Sequence, residues 1–179
     1  MGPQNKTDNT REFIPINFGV LTVSDSRSLQ NDKSGDILVS KINESGHTLK
    51  KRQLVSDEID SIKAVLNDWT LDKNIDVILG TGGTGVTGRD VTPEAFEQVF
   101  EKTIPGFGEL FRMISYDLIG TSTIQSRTTA GVKNSTYLFA LPGSPGACRD
   151  AWDNILQYQL DNRTRPCNLV ELLPRLKEK

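Results

Sequence analysis

The chain has a single histidine, His47, and only two cysteines, Cys148 and Cys167, far apart in sequence. Neither cysteine has a second thiol or an imidazole at metal-ligand spacing, which argues against a structural zinc site. A disulfide between them would not suit a reducing compartment, so both read as free packing thiols. A histidine-based triad would have to be built on His47 alone. That residue follows Gly46 in what reads as a turn, and a surface position is expected for it. Long hydrophobic runs are also missing, and a membrane-spanning helix needs about 20 apolar residues. Neither sign of charge is in excess: 21 basic and 23 acidic residues are mixed along the chain. No basic stripe points to nucleic acid and no polybasic run to a membrane surface. Residues 1–12 are polar and lack the apolar stretch of a signal peptide. The expectation is a disordered, frayed leader followed by one folded domain, residues 13–179, in a cytoplasmic protein.

What is present is an alternation of strand-like and helix-like segments. Residues 17–24 are apolar and β-branched and read as a first strand, followed by a polar loop, 25–33. Ser34 can cap a helix with Leu38 and Ile42 on one face, and Gly46 can stop it. Residues 48–55 read as a second strand. Ser56 or Asp57 can cap the next helix, whose Ile59, Ile62, Leu66 and Trp69 recur at helical spacing. Residues 75–79 suit a strand buried on both faces. After a glycine-rich loop, Thr92 reads as a cap with Pro93 at the first helical position. Residues 106–116 read as a helix with Leu110, Phe111 and Ile114 inward, and 136–141 as another buried strand. Ser144 with Pro145 opens a last helix bearing Ala147, Ala151, Trp152 and Ile155. Strands separated by helices predict an α/β fold: one domain, a mainly parallel sheet flanked by helices, a Rossmann-like three-layer sandwich.

Ligands bind beyond the carboxyl ends of such strands. The loops after Ser24, Leu79 and Leu141 all fall at these ends. The middle one, residues 80–85, reads Gly-Thr-Gly-Gly-Thr-Gly. Its glycines let backbone amides turn toward an anion, and Thr81 and Thr84 add hydroxyls, so a phosphate site is expected. Gly80, Gly82 and Gly85 formally match the dinucleotide fingerprint of an oxidoreductase. However, residues 86–91 intervene before the next helix, and the loop follows the third strand rather than the first. The Walker pattern fails because no Lys-Ser or Lys-Thr follows Gly85. Asp90, just before Thr92, reads either as a helix-terminal charge or as a Mg²⁺ ligand beside the anion loop.

These residues carry a resemblance. Residues 81–85 followed by Arg89-Asp-Val-Thr-Pro-Glu94 resemble the signature of the MoaB/Mog family of molybdenum-cofactor biosynthesis proteins. Residues 21–25, 105–112, 126–127 and 141–144 agree with it, so the resemblance spans about Pro15 to Cys167. Residues 160–168 look more like the MoaB branch. The resemblance implies adenylylation of molybdopterin: Mg-ATP and molybdopterin give adenylyl-molybdopterin and pyrophosphate. Mog proteins and the related domains of gephyrin and its plant counterparts do this. Some MoaB proteins share the activity and others lack it, which keeps a non-catalytic molybdopterin-binding or assembly protein as the alternative. The aspartates of the active branch map to Asp57 and Asp90, as catalytic residues and Mg²⁺ ligands. For Asp57 a plain helix cap stands beside that role. Thr81, Gly82, Gly83, Thr84, Gly85, Ser126, Arg127 and Ser144 are the implied molybdopterin and phosphate contacts. Ser24, Asp25, Pro142 and Gly143 are the implied nucleotide contacts, and an ordinary ion pair remains open for Arg127. ATP, molybdopterin and further copies of the chain are the implied partners, the copies forming a homotrimer or homohexamer.

Overall fold

Strands with apolar side chains at both parities must be covered on both faces. The computed structural model, which describes residues 6–178, meets that requirement. A short strand β1 (Lys6–Thr7) precedes β2 (Asn17–Val23), α1 (Lys33–Glu44), β3 (Thr48–Val55), α2 (Ile59–Leu71) and β4 (Val77–Thr81). The glycine loop leads to α3 (Thr92–Glu97), β5 (Lys102–Thr103) and α4 (Pro105–Ile119), which tightens into a 3₁₀ segment, Gly120–Gln125. Strands β6 (Thr129–Lys133) and β7 (Thr136–Leu141) form a hairpin. Helix α5 (Pro145–Ala151) then runs on through a π-helical stretch, Trp152–Leu156, and β8 (Thr164–Arg165) follows.

The main sheet has the order β3-β2-β4-β7-β6-β5. Strands β3, β2, β4 and β7 are parallel; β6 and β5 are added antiparallel at one edge. Parity divides the core. Phe18, Val20, Val77, Leu79, Tyr137, Phe139 and Leu141 cluster with Leu38, Ile42, Phe111 and Trp152 from α1, α4 and the last helical run. The residues between them, Leu21, Val23, Ile78, Leu138 and Ala140, cluster with Ile62, Leu66, Trp69 and Phe96 from α2 and α3. Helix α3 lies so close to the sheet that a Cβ on Gly80 would come within 2.5 Å of the Phe96 ring. The expected single-domain sandwich of helix, sheet and helix is therefore observed. Among the described residues no helix is long and apolar enough to cross a membrane.

Several local expectations are corrected. Helix α1 is capped by Asp32, which accepts from Gly35 N–H; Ser34 instead donates to Gly143 O. Helix α2 begins at Ile59 after Glu58, so neither Ser56 nor Asp57 caps it. Thr92 is the first residue of α3 and Val91 holds the cap position. Leu110 is 38% exposed, on the outer side of α4. His47 is buried, packed between the rings of Phe13 and Phe18, and its Nδ1 accepts from Ile16 N–H. The segment before β2 folds over the turn and covers it. That segment is not frayed from Lys6 onward: β1 pairs with β8, and Arg11 bonds Asn162 O and Glu171. The rest of the expected leader, residues 1–5, lies outside the described residues. Both cysteines are free, but only Cys148 is packed; Cys167 is exposed.

Candidate functional site

Parallel neighbours in register bring the carboxyl ends of β2, β4 and β7 side by side: Leu21 lies opposite Gly80, and Gly80 opposite Ala140. Gly82 N–H donates to Leu141 O at 3.1 Å and ties the glycine loop to the end of β7. Gly82 and Gly83 have φ of +106° and +61°, a region in which a side chain is strained. A Cβ on Gly82 would also strike Val23 O, and one on Gly143 would approach Gly82 Cα to 3.1 Å. The loops thus pack backbone against backbone. They open on a cavity of about 370 Å³ lined by Gly83, Thr84, Gly85, Asp90, Ser126, Pro142, Gly143 and Ser144. Gly83 and Ser144 border the same cavity, as the convergence of loops predicts. Ser144 also caps α5, accepting from Ala147 N–H. A cavity of about 400 Å³ at the other edge of the sheet is bordered by Asp76 and Thr136, and by none of the glycine-loop residues.

Other predicted residues serve the loop from behind. Thr81 is fully buried beside Cys148 and does not line the cavity; its hydroxyl donates to Pro142 O at 2.9 Å. Gly82 lies in the backbone packing just described. Ser24 Oγ accepts from Arg27 N–H at 3.2 Å and shapes the turn after β2. Arg127 is turned from the cavity: it donates to Gly85 O and Asp90 O, each at 2.6 Å, and pairs with Glu94. Arg127 thus makes the ion pair that was left open for it.

The carboxylates divide in two ways. Asp25 and Asp57 are reciprocally latched: Asp25 N–H donates to Asp57 Oδ2 at 2.8 Å, and Asp57 N–H to Asp25 Oδ1 at 3.0 Å. Arg89 pairs with Asp25 and with Glu58. Burial first, then the charges of Asp25 and Asp90, raise the Asp57 carboxyl above its usual range. Its Oδ1 points to the glycine loop, 2.9 Å from where a Gly83 Cβ would be. Asp90 moves the other way. Burial acts to raise it, but hydrogen bonds from the Thr87 hydroxyl and N–H and from Gly85 N–H, with Arg127 nearby, leave it lowered. Its Oδ2 takes both Thr87 donors, at 2.6 and 2.9 Å, so Asp90 clips its own loop. Among the described residues no cluster of three or more His, Cys, Asp or Glu could hold a metal ion.

The sequence reading missed the far wall. Phe111, Ser115 and Ile119 of α4 and Ser122, Thr123 and Gln125 of the 3₁₀ segment line the same cavity. The only signal was a polar stretch, residues 121–126, between an apolar helix and Arg127.

Residues 19–162 match the family described as "Probable molybdopterin binding domain". The chain belongs to this family. It is 48% identical over 157 residues to molybdenum cofactor biosynthesis protein B of Escherichia coli K12, covering 88% of this chain and 92% of that protein. A crystal structure of a molybdenum cofactor biosynthesis protein B is 38% identical, with a TM-score of 0.81 over 84% of this chain and 94% of that one. The tungsten cofactor synthesizing protein MoaB from Pyrococcus furiosus is 29% identical, with a TM-score of 0.76 over 92% and 98%. The match spans every residue that borders the cavity and all of the main sheet except the first two residues of β2.

Proposed function

We propose that this chain binds molybdopterin and adenylylates it with Mg-ATP, in the cytoplasm, releasing pyrophosphate. The observation that carries the reading is the glycine loop, Gly83 to Gly85, at a cavity bordered by Ser144 and Asp90, with the Asp57 carboxylate against Gly83. Relatives are named for molybdenum cofactor biosynthesis, and one for tungsten cofactor synthesis. In the transfer an oxygen of the pterin's phosphate forms a bond to the α-phosphorus of ATP. The bond from that phosphorus to its bridging oxygen breaks, and pyrophosphate leaves with the electron pair. Both reactants are anions, so the protein's work is alignment and charge neutralisation. The Gly85 N–H is taken by Asp90, and the backbone amides of Gly83 and Thr84 are the ones suited to the pterin phosphate. Asp25 and the Pro142–Gly143 turn, the latter on the cavity wall, would take the nucleotide.

Asp57 fits a Mg²⁺ ion that arrives with the nucleotide, since Mg²⁺ is commonly held by one or two carboxylates plus phosphate oxygens. Bound there, the ion would neutralise phosphate charge. Asp90 could join it through Oδ1 while Oδ2 keeps the Thr87 donors. The hydrogen bonds that already engage Asp90 are the observation behind the second reading, a non-catalytic molybdopterin-binding protein. The spacing of residues 86–91 leaves the dinucleotide oxidoreductase without support.

The test is pyrophosphate release from Mg-ATP with and without molybdopterin in a single turnover. Release that depends on molybdopterin is expected. Tight molybdopterin binding without release would establish the binding-protein reading instead.

A further inference from the structure

Thr92 carries the feature of the site that the proposed chemistry leaves without a use. It opens α3, its N–H donates to Gly83 O at 3.0 Å, and its side chain is fully buried. Its hydroxyl nevertheless has no hydrogen-bond partner. An unpaired buried hydroxyl destabilises a fold, and valine would fill the same β-branched shape without that penalty. A helix start that holds a hydroxyl it does not use for capping has a partner elsewhere.

The position of the hydroxyl points to that partner. A Cβ on Gly83 would lie 2.5 Å from Thr92 Oγ1 and 2.9 Å from Asp57 Oδ1. The two oxygens converge on one place beside the glycine loop, one with a proton to donate and the other an acceptor. Asp57 is fixed by a hydrogen bond to its Oδ2 from Asp25 N–H, which leaves Oδ1 to be aimed. A carboxylate oxygen has lone pairs for both a hydroxyl donor and a cation.

We propose that Thr92 is a positioning residue: when a phosphate ligand and its cation occupy the loop, the Thr92 hydroxyl donates to Asp57 Oδ1 and fixes its aim. This rests on the reading of Asp57 as the carboxylate that would hold Mg²⁺. Thr92 itself touches neither substrate nor cation, so its effect is confined to the loaded state. The orphaned hydroxyl of the ligand-free protein is then a donor whose acceptor is brought into line only on binding.

The experiment is calorimetric titration with Mg-ATP, with ligand-free melting measured in parallel, on wild type, Thr92→Val, Thr92→Ser and Asp57→Asn. Thr92→Val is expected to melt at the wild-type temperature or above, yet to bind Mg-ATP about 10-fold more weakly, the effect of one hydrogen bond to a charged group. Thr92→Ser keeps the donor and should bind within about threefold of wild type. Asp57→Asn should weaken binding as well. The role is overturned if Thr92→Val binds like wild type while Asp57→Asn does not, or if Thr92→Ser is as weak as Thr92→Val. It is also overturned if Thr92→Val melts several degrees lower without ligand, which would make the hydroxyl part of the resting fold. Asp57→Asn binding as tightly as wild type, or a wild type that binds no Mg-ATP, would overturn the reading of Asp57 and this role with it.

Discussion

His47 accepts a hydrogen bond from Ile16 N–H through Nδ1 while Phe13 and Phe18 pack against its ring. Protonating Nδ1 would break that bond and bury a charge, and burial lowers the pKa from 6.5 to about 4, against the opposing pull of Asp161. The folded state therefore binds fewer protons than the unfolded state between about pH 4 and 6.5. Stability from this residue is complete above 6.5 and is lost as pH falls toward 4. At about 1.4 kcal/mol per unit, and discounted for partial solvent screening, the contribution is about 2 kcal/mol. Urea unfolding of wild type and His47→Gln at pH 7 and pH 4.5 checks it. Glutamine can still accept from Ile16 but does not titrate, so the variant should lose less stability on acidification. Equal losses would remove His47 from the acid response. The position was misread because Gly46 and His47 resemble a turn locally, while the residues that cover it, Phe13 and Ile16, come from a segment some 30 residues earlier in the chain.

At the scale of an element, the glycine loop is held less by its glycines than by what lies behind it. Arg127 joins Gly85 O, Asp90 O and Glu94, and Asp90 closes on Thr87. Arg127→Met keeps the length of the side chain but removes every one of these donors. It should cost about 2–3 kcal/mol, leaving acceptors unpaired. Melting should then fall by about 5–10 °C in a domain of this size. Amide exchange at residues 85–91 should quicken more than exchange in β4. Unchanged exchange in that loop would show that Arg127 does not hold it. None of this was readable locally, because the partners of Arg127 are 33 to 42 residues away and two of them are main-chain carbonyls. The elements that position the loop were readable. Thr48–Val55 and Thr136–Leu141 have the bounds expected from the sequence, the first as an edge strand with polar residues along it and the second buried along its whole length. Strand β6 was missed because Gly131 interrupts its apolar pattern, and β5 because two residues carry no period. The convergence of loops followed from the alternation of strands and helices along the chain. Which hydroxyls reach the cavity did not, because Thr81 is closed over by Pro142 and Cys148, more than 60 residues on.

At the scale of the whole molecule, the outer side of α4 is unusual for a folded surface. Met113, Tyr116, Leu118 and Ile119 are each more than half exposed, and Ile124 in the next turn is 82% exposed. Clustered exposed apolar residues mark a face that another molecule covers. We propose that the occupant is a second copy of this chain in a closed ring, a homotrimer or a pair of trimers. A ring needs a heterologous contact, in which this face meets a different face of the next copy. The patch is continuous with the candidate site, since Ile119, Ser122, Thr123 and Gln125 line the cavity beside the glycine loop. Assembly would therefore steady the far wall of the site, which is made by the end of α4 and the 3₁₀ turn. Light scattering at micromolar concentration should give three or six times the mass of one chain. Met113→Glu with Ile124→Glu places charge on both elements of the patch and should shift the mass to one chain. Because these side chains are exposed in the monomer, β-sheet circular dichroism should be unchanged, which separates lost assembly from lost folding. Molybdopterin affinity should fall with the mass if the wall depends on the neighbour. A wild type that scatters as one chain would sink the ring, and a monomeric variant with undiminished affinity would sink the link between assembly and site.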